Sequence, residues 1–235
     1  MPDNATPLIL LTRPLAQAAR FADQCRAAFG EKAEILIAPM QEIVLLDLPP
    51  IPPGATLIFT SENGVRAYDA GGGGMGHSAY CVGDRTARVA AEAGLKALSA
   101  GGAAGDLVAL IRQKHANAPL IHLHGTHVRG DIAEQLGAAG LNVAGHVVYD
   151  QRPLPLTDDA LKALTGSRRV IVPLFSPRSA TLFATNLPEG ACPDLICISE
   201  ATRAALPGAL HPVAHLAAAP TGAAMLKALA RQLSP

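Results

Sequence analysis

The chain has no tryptophan, and aromatic residues fill only 3% of its 235 positions. A core so poor in rings must be built from aliphatic side chains, and 49% of the residues are apolar. That balance suits Ala-rich helices packed on aliphatic strands and excludes a disordered chain. At this length a globule buries roughly 70–75% of its unfolded surface, so neither a disulfide nor a metal staple is needed. An excess of one charge is lacking too. Lys+Arg and Asp+Glu stand at 19 each and no basic run exceeds two residues, which argues against nonspecific nucleic-acid or membrane-surface binding. No apolar run approaches the roughly 20 residues that span a bilayer. The opening MPDNATPLILLTRP places an acidic residue before a short apolar run and passes directly into a helical pattern, so it does not read as a signal peptide.

The four cysteines (Cys25, Cys81, Cys192, Cys197) form no CxxC and lie in or near apolar stretches. Buried, reduced thiols of a cytosolic protein are expected. There is no GxSxG elbow, no P-loop and no GxGxxG after a strand, so phosphoryl-transfer and dinucleotide chemistry have no sequence support. The run Gly71–Gly74 with Gly76 lacks both a following Lys-Ser/Thr and a preceding strand, and reads as a flexible surface turn.

What the chain does contain is alternation. Apolar strand-like runs fall at 8–11, 34–38, 56–60, 79–82, 120–123, 143–148, 169–175 and 195–198, with weaker ones at 96–98 and 212–216. Helical patterns at 15–29, 86–93, 132–139 and 201–206 separate them. Continuous apolar strands alternating with helices predict an α/β fold with parallel sheets covered on both faces. The Pro-rich segments 45–54 and 149–157 read as connections.

The pattern is also duplicated. LIFTSENGVRAY (57–68) resembles IVPLFSPRSATLF (171–183), and YCVGDRTARVAAEAGL (80–95) resembles ICISEATRAALPGAL (196–210). LILLTRPLAQAARFADQCRAAFG (8–30) likewise resembles LIHLHGTHVRGDIAEQLGAAG (120–140). The Ser-to-Thr separation is 25 residues in one copy and 26 in the other, and such a repeat implies two similar α/β halves.

The distinctive residues of each pair fall where a strand ends and a helix begins, the edge at which open α/β sheets bind ligands. Ser61, Thr86, Ser176 and Thr202 are placed to cap helix N–H groups, or to donate a hydroxyl to a ligand beside them. Arg13, Arg129 and Arg178 follow equivalent strand ends and offer a fork for carboxylates, or lie solvated at helix starts. Tyr149 ends a strand beside a Pro-rich connection, as a weak acid or as a packed ring. Pro173 interrupts the strand leading to Phe175, so that strand is expected to be distorted or at an edge. A rival signal is HLHGTH, whose His122, His124 and His127 are spaced like a hydrolytic zinc site. Thr126 stands where that motif carries Asp, and the other half of the repeat has Leu10, Thr12 and Leu15 at the three positions.

Taken in order, LLTRP, FTSENGVRAY, CVGDRTARVAAEAG, the HGTHVRG-to-VVYD stretch, FSPRSATLF, CISEATRAAL and APTGAAMLKAL resemble the uroporphyrinogen-III synthase family, from about residue 8 to residue 233. The resemblance implies two flavodoxin-like domains joined by a two-stranded linker. Residues 1–39 would pack with 152–235, the N-terminal unit being swapped, and 40–151 would form the second domain. It implies a cyclising lyase that needs no cofactor and binds hydroxymethylbilane, a linear tetrapyrrole with eight carboxylates, between the domains. Loss of the hydroxyl gives an azafulvene cation, attacked by the substituted carbon of ring D through a spiro-pyrrolenine, so that ring D is inverted. Tyr149 matches the family tyrosine that assists hydroxyl departure. Ser61, Thr86, Ser176 and Thr202 match positions lining the cleft; Gly83 and Ser199 act through close backbone approach. Thr12, Arg13, Asn63, Gly125, Arg129 and Arg178 complete the expected substrate-binding set. A cytoplasmic monomer is expected, in transient contact with the preceding pathway enzyme, with no metal, nucleic-acid or membrane partner. Two other readings remain open on the residues: a non-catalytic module for an anionic ligand, and a metal-dependent hydrolase using His122, His124 and His127.

Overall fold

The computed structural model describes residues 6–102, 104–115, 117–127 and 132–233. In chain order the strands are β1 (Leu8–Leu11), β2 (Glu34–Ile37), β3 (Gln41–Leu45), β4 (Thr56–Phe59), β5 (Ser78–Cys81), β6 (Lys96–Ser99), β7 (Leu120–Gly125), β8 (Val143–Pro153), β9 (Val170–Leu174), β10 (Asp194–Cys197) and β11 (Ala214–Leu216). The helices are α1 (Leu15–Phe29), α2 (Glu62–Ala70), α3 (Asp84–Glu92), α4 (Ala104–Lys114), α5 (Ile132–Ala138), α6 (Asp158–Thr165), α7 (Pro177–Thr185), α8 (Glu200–Ala204) and α9 (Gly222–Leu233). Contacts divide the chain into one unit of Met1–Glu42 with Pro153–Pro235, and a second of Ile43–Arg152.

The first unit holds a parallel sheet in the order β11-β10-β9-β1-β2. Numbered along the chain within that unit, this is the flavodoxin-like order 2-1-3-4-5 read from the other edge. Strand alternation sends Leu8, Leu10, Val172 and Leu174 to one face with α6 and α7, and Ile9, Leu11 and Ile171 to the other with α1 and α9. Helix α1 buries Ala18, Phe21, Ala22 and Cys25, spaced as one stripe of a 3.6-residue helix.

The second unit repeats the plan in permuted order. Its sheet runs β3-β8-β7-β4-β5-β6, and β7, β8, β4, β5 and β6 take the places of β1, β2, β9, β10 and β11. The three repeat pairs read from the sequence therefore occupy matching strands and helices. Helices α2 and α3 cover one face over Leu57, Phe59, Cys81 and Leu123; α4 and α5 cover the other over Ile58, Tyr80 and Leu120. The chain passes between the units in β3 and β8. Leu46 N–H donates to Val148 O and Leu154 N–H to Met40 O, so these strands run antiparallel.

Three expectations change. Pro173 lies in the middle of its sheet, in a strand buried along its length. Arg169 O accepts from Leu8 N–H and Leu174 O from Ile198 N–H, so odd-numbered residues of β9 turn their polar groups toward β1. The N–H that proline lacks is thus on the β1 side, where register stops at Ile9↔Ile171, while the β10 side continues to Cys197↔Leu174. Cys192 is exposed, in the loop before β10; the other three cysteines are buried, and burial pushes Cys25 and Cys81 up to about 12 and Cys197 to about 11. The glycine run does form a surface turn, but it packs. The Tyr68 hydroxyl donates to Gly74 O at 2.6 Å, and a Cβ on Gly73 would fall 2.4 Å from the Tyr68 ring.

Helix α2 approaches β7 closely enough that a Cβ on Gly64 would lie 2.7 Å from Leu123 O. A backbone carbonyl cannot turn aside as a flexible side chain can. Gly64→Ala is expected to lose about 1–3 kcal/mol of stability, the usual range for overpacking, measured by urea unfolding.

Candidate functional site

Both units present the sheet edge at which the chain reverses its direction of winding, between β1 and β9 in the first and between β7 and β4 in the second. In such sheets the carboxyl ends of these strands form the ligand crevice. The expected site residues in the described part of the chain fall on these edges and on the neighbouring helix starts; Arg129 lies outside the described residues.

In the second unit the crevice holds a buried phenol. Tyr149 is 5% exposed, and its hydroxyl hydrogen-bonds the Ser61 side chain at the end of β4 and accepts from the Gly125 N–H at the end of β7. Burial raises its pKa above the ordinary phenol value, and these two bonds pull it partly back. Tyr149 owes its direction to a β-bulge. His124 pairs with Val147 but Gly125 pairs with Tyr149, so Val148 is the extra residue. Val148 and Tyr149 consequently both join the core under α2 and α3, although they are consecutive in a strand. The ring then lies over Gly125, where a Cβ would meet ring carbons at 2.5 and 2.6 Å and the hydroxyl oxygen at 3.0 Å.

Ser61 also caps α2, its Oγ accepting from the N–H of buried Asn63 at 3.2 Å. Glu62 beside it is buried and accepts from Arg85 Nε at 3.2 Å, tying α2 to α3. Gly83 takes the N-cap position of α3 in extended backbone, and Thr86 is buried in that helix's first turn. Thr126 N–H donates to Tyr149 O at 3.0 Å.

In the first unit, the Arg13 guanidinium stacks 3.9 Å over the Phe175 ring, which itself meets Phe21 edge-on. This cation–π contact joins the ends of β1 and β9 across the point where their ladder stops. Ser176 caps α7, accepting from Ser179 N–H at 3.0 Å, and Ser199 caps α8, accepting from Thr202 N–H at 3.3 Å. The Thr202 hydroxyl is inaccessible and 3.0 Å from Ser199 Oγ. Capping accounts for the side chains of Ser176, Ser199 and Thr202, whereas Ser61 both caps a helix and holds Tyr149. Arg178 lies half-buried in the first turn of α7. Thr12 Oγ1 is buried without a hydrogen-bond partner, as is Gln41 Oε1. Thr12 O accepts from the N–H of Met40, the residue before Gln41. Gln41 is absent from the sequence reading; its only signal there is a polar residue within the extended run PMQEIVLL.

The histidines are not arranged as metal ligands. His122 is buried with its Nε2 3.4 Å from Thr60 Oγ1, lies against the tilted His124 ring at 4.8 Å between centroids, and has its pKa lowered to about 4, first by burial and then by His124. His127 is exposed beyond Thr126. Among the described residues no group of three His, Cys, Asp or Glu side chains could hold a metal ion, which removes the geometric basis of the hydrolase reading. Nor is any described helix long and apolar enough to cross a membrane.

The described architecture is similar to uroporphyrinogen-III synthetase from Helicobacter pylori 26695, with a TM-score of 0.68 and 18% identity over 97% of this chain and 100% of that one. It is also similar to a mutant uroporphyrinogen III synthase from the extremely thermophilic bacterium Thermus thermophilus, at a TM-score of 0.54 and 17% identity over 96% and 98% of the two chains. Identities this low establish the fold alone. No curated protein matches the chain at a significant level. The family profile described as uroporphyrinogen-III synthase HemD, however, matches residues 20–227. That match takes in both carboxyl-edge crevices except Thr12 and Arg13, and by it the chain belongs to the uroporphyrinogen-III synthase family.

Proposed function

We propose that the chain closes hydroxymethylbilane to uroporphyrinogen III, with inversion of ring D and release of one water. Tyr149 acts as the acid. Its proton goes to the departing hydroxyl, water leaves, and the resulting azafulvene cation is attacked by the substituted carbon of ring D. The bond from the spiro carbon to its original methylene bridge breaks, that bridge bonds instead to the unsubstituted α-carbon of ring D, and the proton lost from this carbon as the pyrrole regains aromaticity returns to the phenolate. The observation that carries this reading is the buried phenol over Gly125. Burial keeps it protonated at neutral pH, and the Gly125 N–H and Ser61 stand ready to hold the phenolate once the proton has gone.

The substrate's carboxylates are taken at the helix starts by Arg13, Asn63, Gly83, Thr86 and Arg178, and also by Arg129. Ser176, Ser199 and Thr202 shape the ends of α7 and α8 rather than donating freely. Thr12 and Gln41, each with a buried oxygen lacking a protein partner, suit polar groups of the bilane. The two units serve as the two domains of a monomer working in the cytoplasm, where thiols stay reduced. Transient contact with the enzyme that supplies the bilane limits spontaneous closure to the non-inverted isomer.

The test is a coupled assay in which hydroxymethylbilane is generated in situ and the oxidised porphyrin isomers are separated. Predominantly type III product is expected; type I alone from folded protein overturns the reading. Tyr149→Phe is expected to fold normally and to lower single-turnover rates about 10²-fold, the lower range for a general acid. An unchanged rate would remove Tyr149 from the chemistry.

A further inference from the structure

We propose that His124 is a positioning residue for this reaction, acting through the Gly125 backbone to aim an N–H at the Tyr149 hydroxyl. The proposal rests on Tyr149 being the acid. Position 125 must be glycine for the ring to lie where it does, yet glycine is the residue least able to hold its own backbone still. Something else has to fix it.

His124 supplies that restraint. Its Nδ1 lies 2.9 Å from Gly125 O. A carbonyl only accepts, so Nδ1 carries the proton and donates. On the same peptide the Thr126 N–H donates to Tyr149 O at 3.0 Å. The peptide after Gly125 is thus pinned at both its oxygen and its nitrogen, leaving the preceding peptide to present the Gly125 N–H to the phenol. The imidazole is itself seated. It packs against the His122 ring, tilted by 44° with centroids 4.8 Å apart, and opposite it stands Gly145, where a Cβ would come within 3.1 Å of His124 Nε2. The bulge between His124 and Gly125 breaks the regular ladder at this point, so the strand alone does not set the orientation. This gives the HLHG segment a use that metal binding does not.

The experiment compares H124N, H124Q and H124L in the full chain, using the isomer assay and the 13Cζ resonance of Tyr149 in tyrosine-labelled protein. An asparagine amide reaches the place of Nδ1, whereas a glutamine amide reaches toward Nε2. H124L is expected to lower kcat about 10-fold with KM within about twofold, and to shift the Tyr149 resonance. H124N should restore both, and H124Q should not. If leucine prevents folding, the Asn–Gln contrast decides. Equal rates and an unmoved Tyr149 resonance in H124N and H124Q overturn the proposal. The resonance does not depend on turnover. Should Tyr149→Phe leave the rate unchanged, the acid reading falls, while the spectrum still reports whether His124 sets the Gly125–Tyr149 contact.

Discussion

Gly125→Ala is expected to yield a folded protein whose rate of type III formation falls about 10²-fold, the cost of displacing a reacting group by about 1 Å. Gly125 is not among the residues with left-handed backbone, so alanine meets no conformational obstacle there. The requirement is for space. An added methyl would sit 2.5 Å from a carbon of the Tyr149 ring, and the ring must move. It cannot move far inward, because Tyr149 shares its core cluster with Val148, Phe59 and Leu123. The phenol oxygen therefore shifts away from both Ser61 and the Gly125 N–H. Thermal unfolding should show a loss of about 1–3 kcal/mol from overpacking, too little to explain the rate. Combining Gly125→Ala with Tyr149→Phe separates position from identity. If both act through one hydroxyl, the double variant is no slower than Tyr149→Phe alone. A wild-type rate in Gly125→Ala would mean that the placement of the phenol has no bearing on turnover.

The same bulge shows where sequence reading stops. The repeat is legible because matched strand ends, Ser61 with Ser176 and Cys81 with Cys197, recur at near-constant separation, and apolar runs locate every strand of both sheets except β3. Periodicity also places consecutive strand residues on opposite faces, and by that rule Val148 and Tyr149 diverge. One extra residue in β8 sends both the same way, and no residue type announces it. β3 escapes the pattern for a related reason. It runs between the units rather than alternating with helices, so Gln41 and its buried oxygen are invisible to periodicity. Pro173 misleads because a missing N–H matters only on the side where a ladder continues, and residue type does not reveal the side. Helix capping by Ser176 and Ser199 is open in the sequence, but whether a hydroxyl is consumed by its own helix depends on side-chain geometry.

Folding stability is expected to fall by about 2–3 kcal/mol between pH 7.5 and pH 4.5 through His122 alone. The unfolded imidazole titrates near 6.5, while burial, assisted by the neighbouring His124, lowers the folded value to about 4. Above pH 6.5 both states are neutral and the residue contributes no pH dependence. Between 6.5 and 4 the unfolded chain takes up a proton that the folded chain refuses, so stability drops as pH falls. Below 4 the loss levels off at about 3 kcal/mol, from 1.36 kcal/mol per unit of difference. The physical cause is the strand's position. β7 lies between β8 and β4, and His122 faces the core under α4 and α5, where an imidazolium would have Thr60 as its polar neighbour and His124 as a source of repulsion. Carboxylates such as exposed Glu34 and half-buried Asp150, whose pKa values are lowered, also respond to acid, so the test is a difference. Urea unfolding of wild type and His122→Gln should diverge as pH falls. Glutamine cannot titrate, so the variant's curve should lie nearer or above that of wild type at pH 4.5 than at pH 7.5. Parallel curves would place the acid sensitivity elsewhere and would mean that the His122 imidazole takes a proton in the folded protein without penalty.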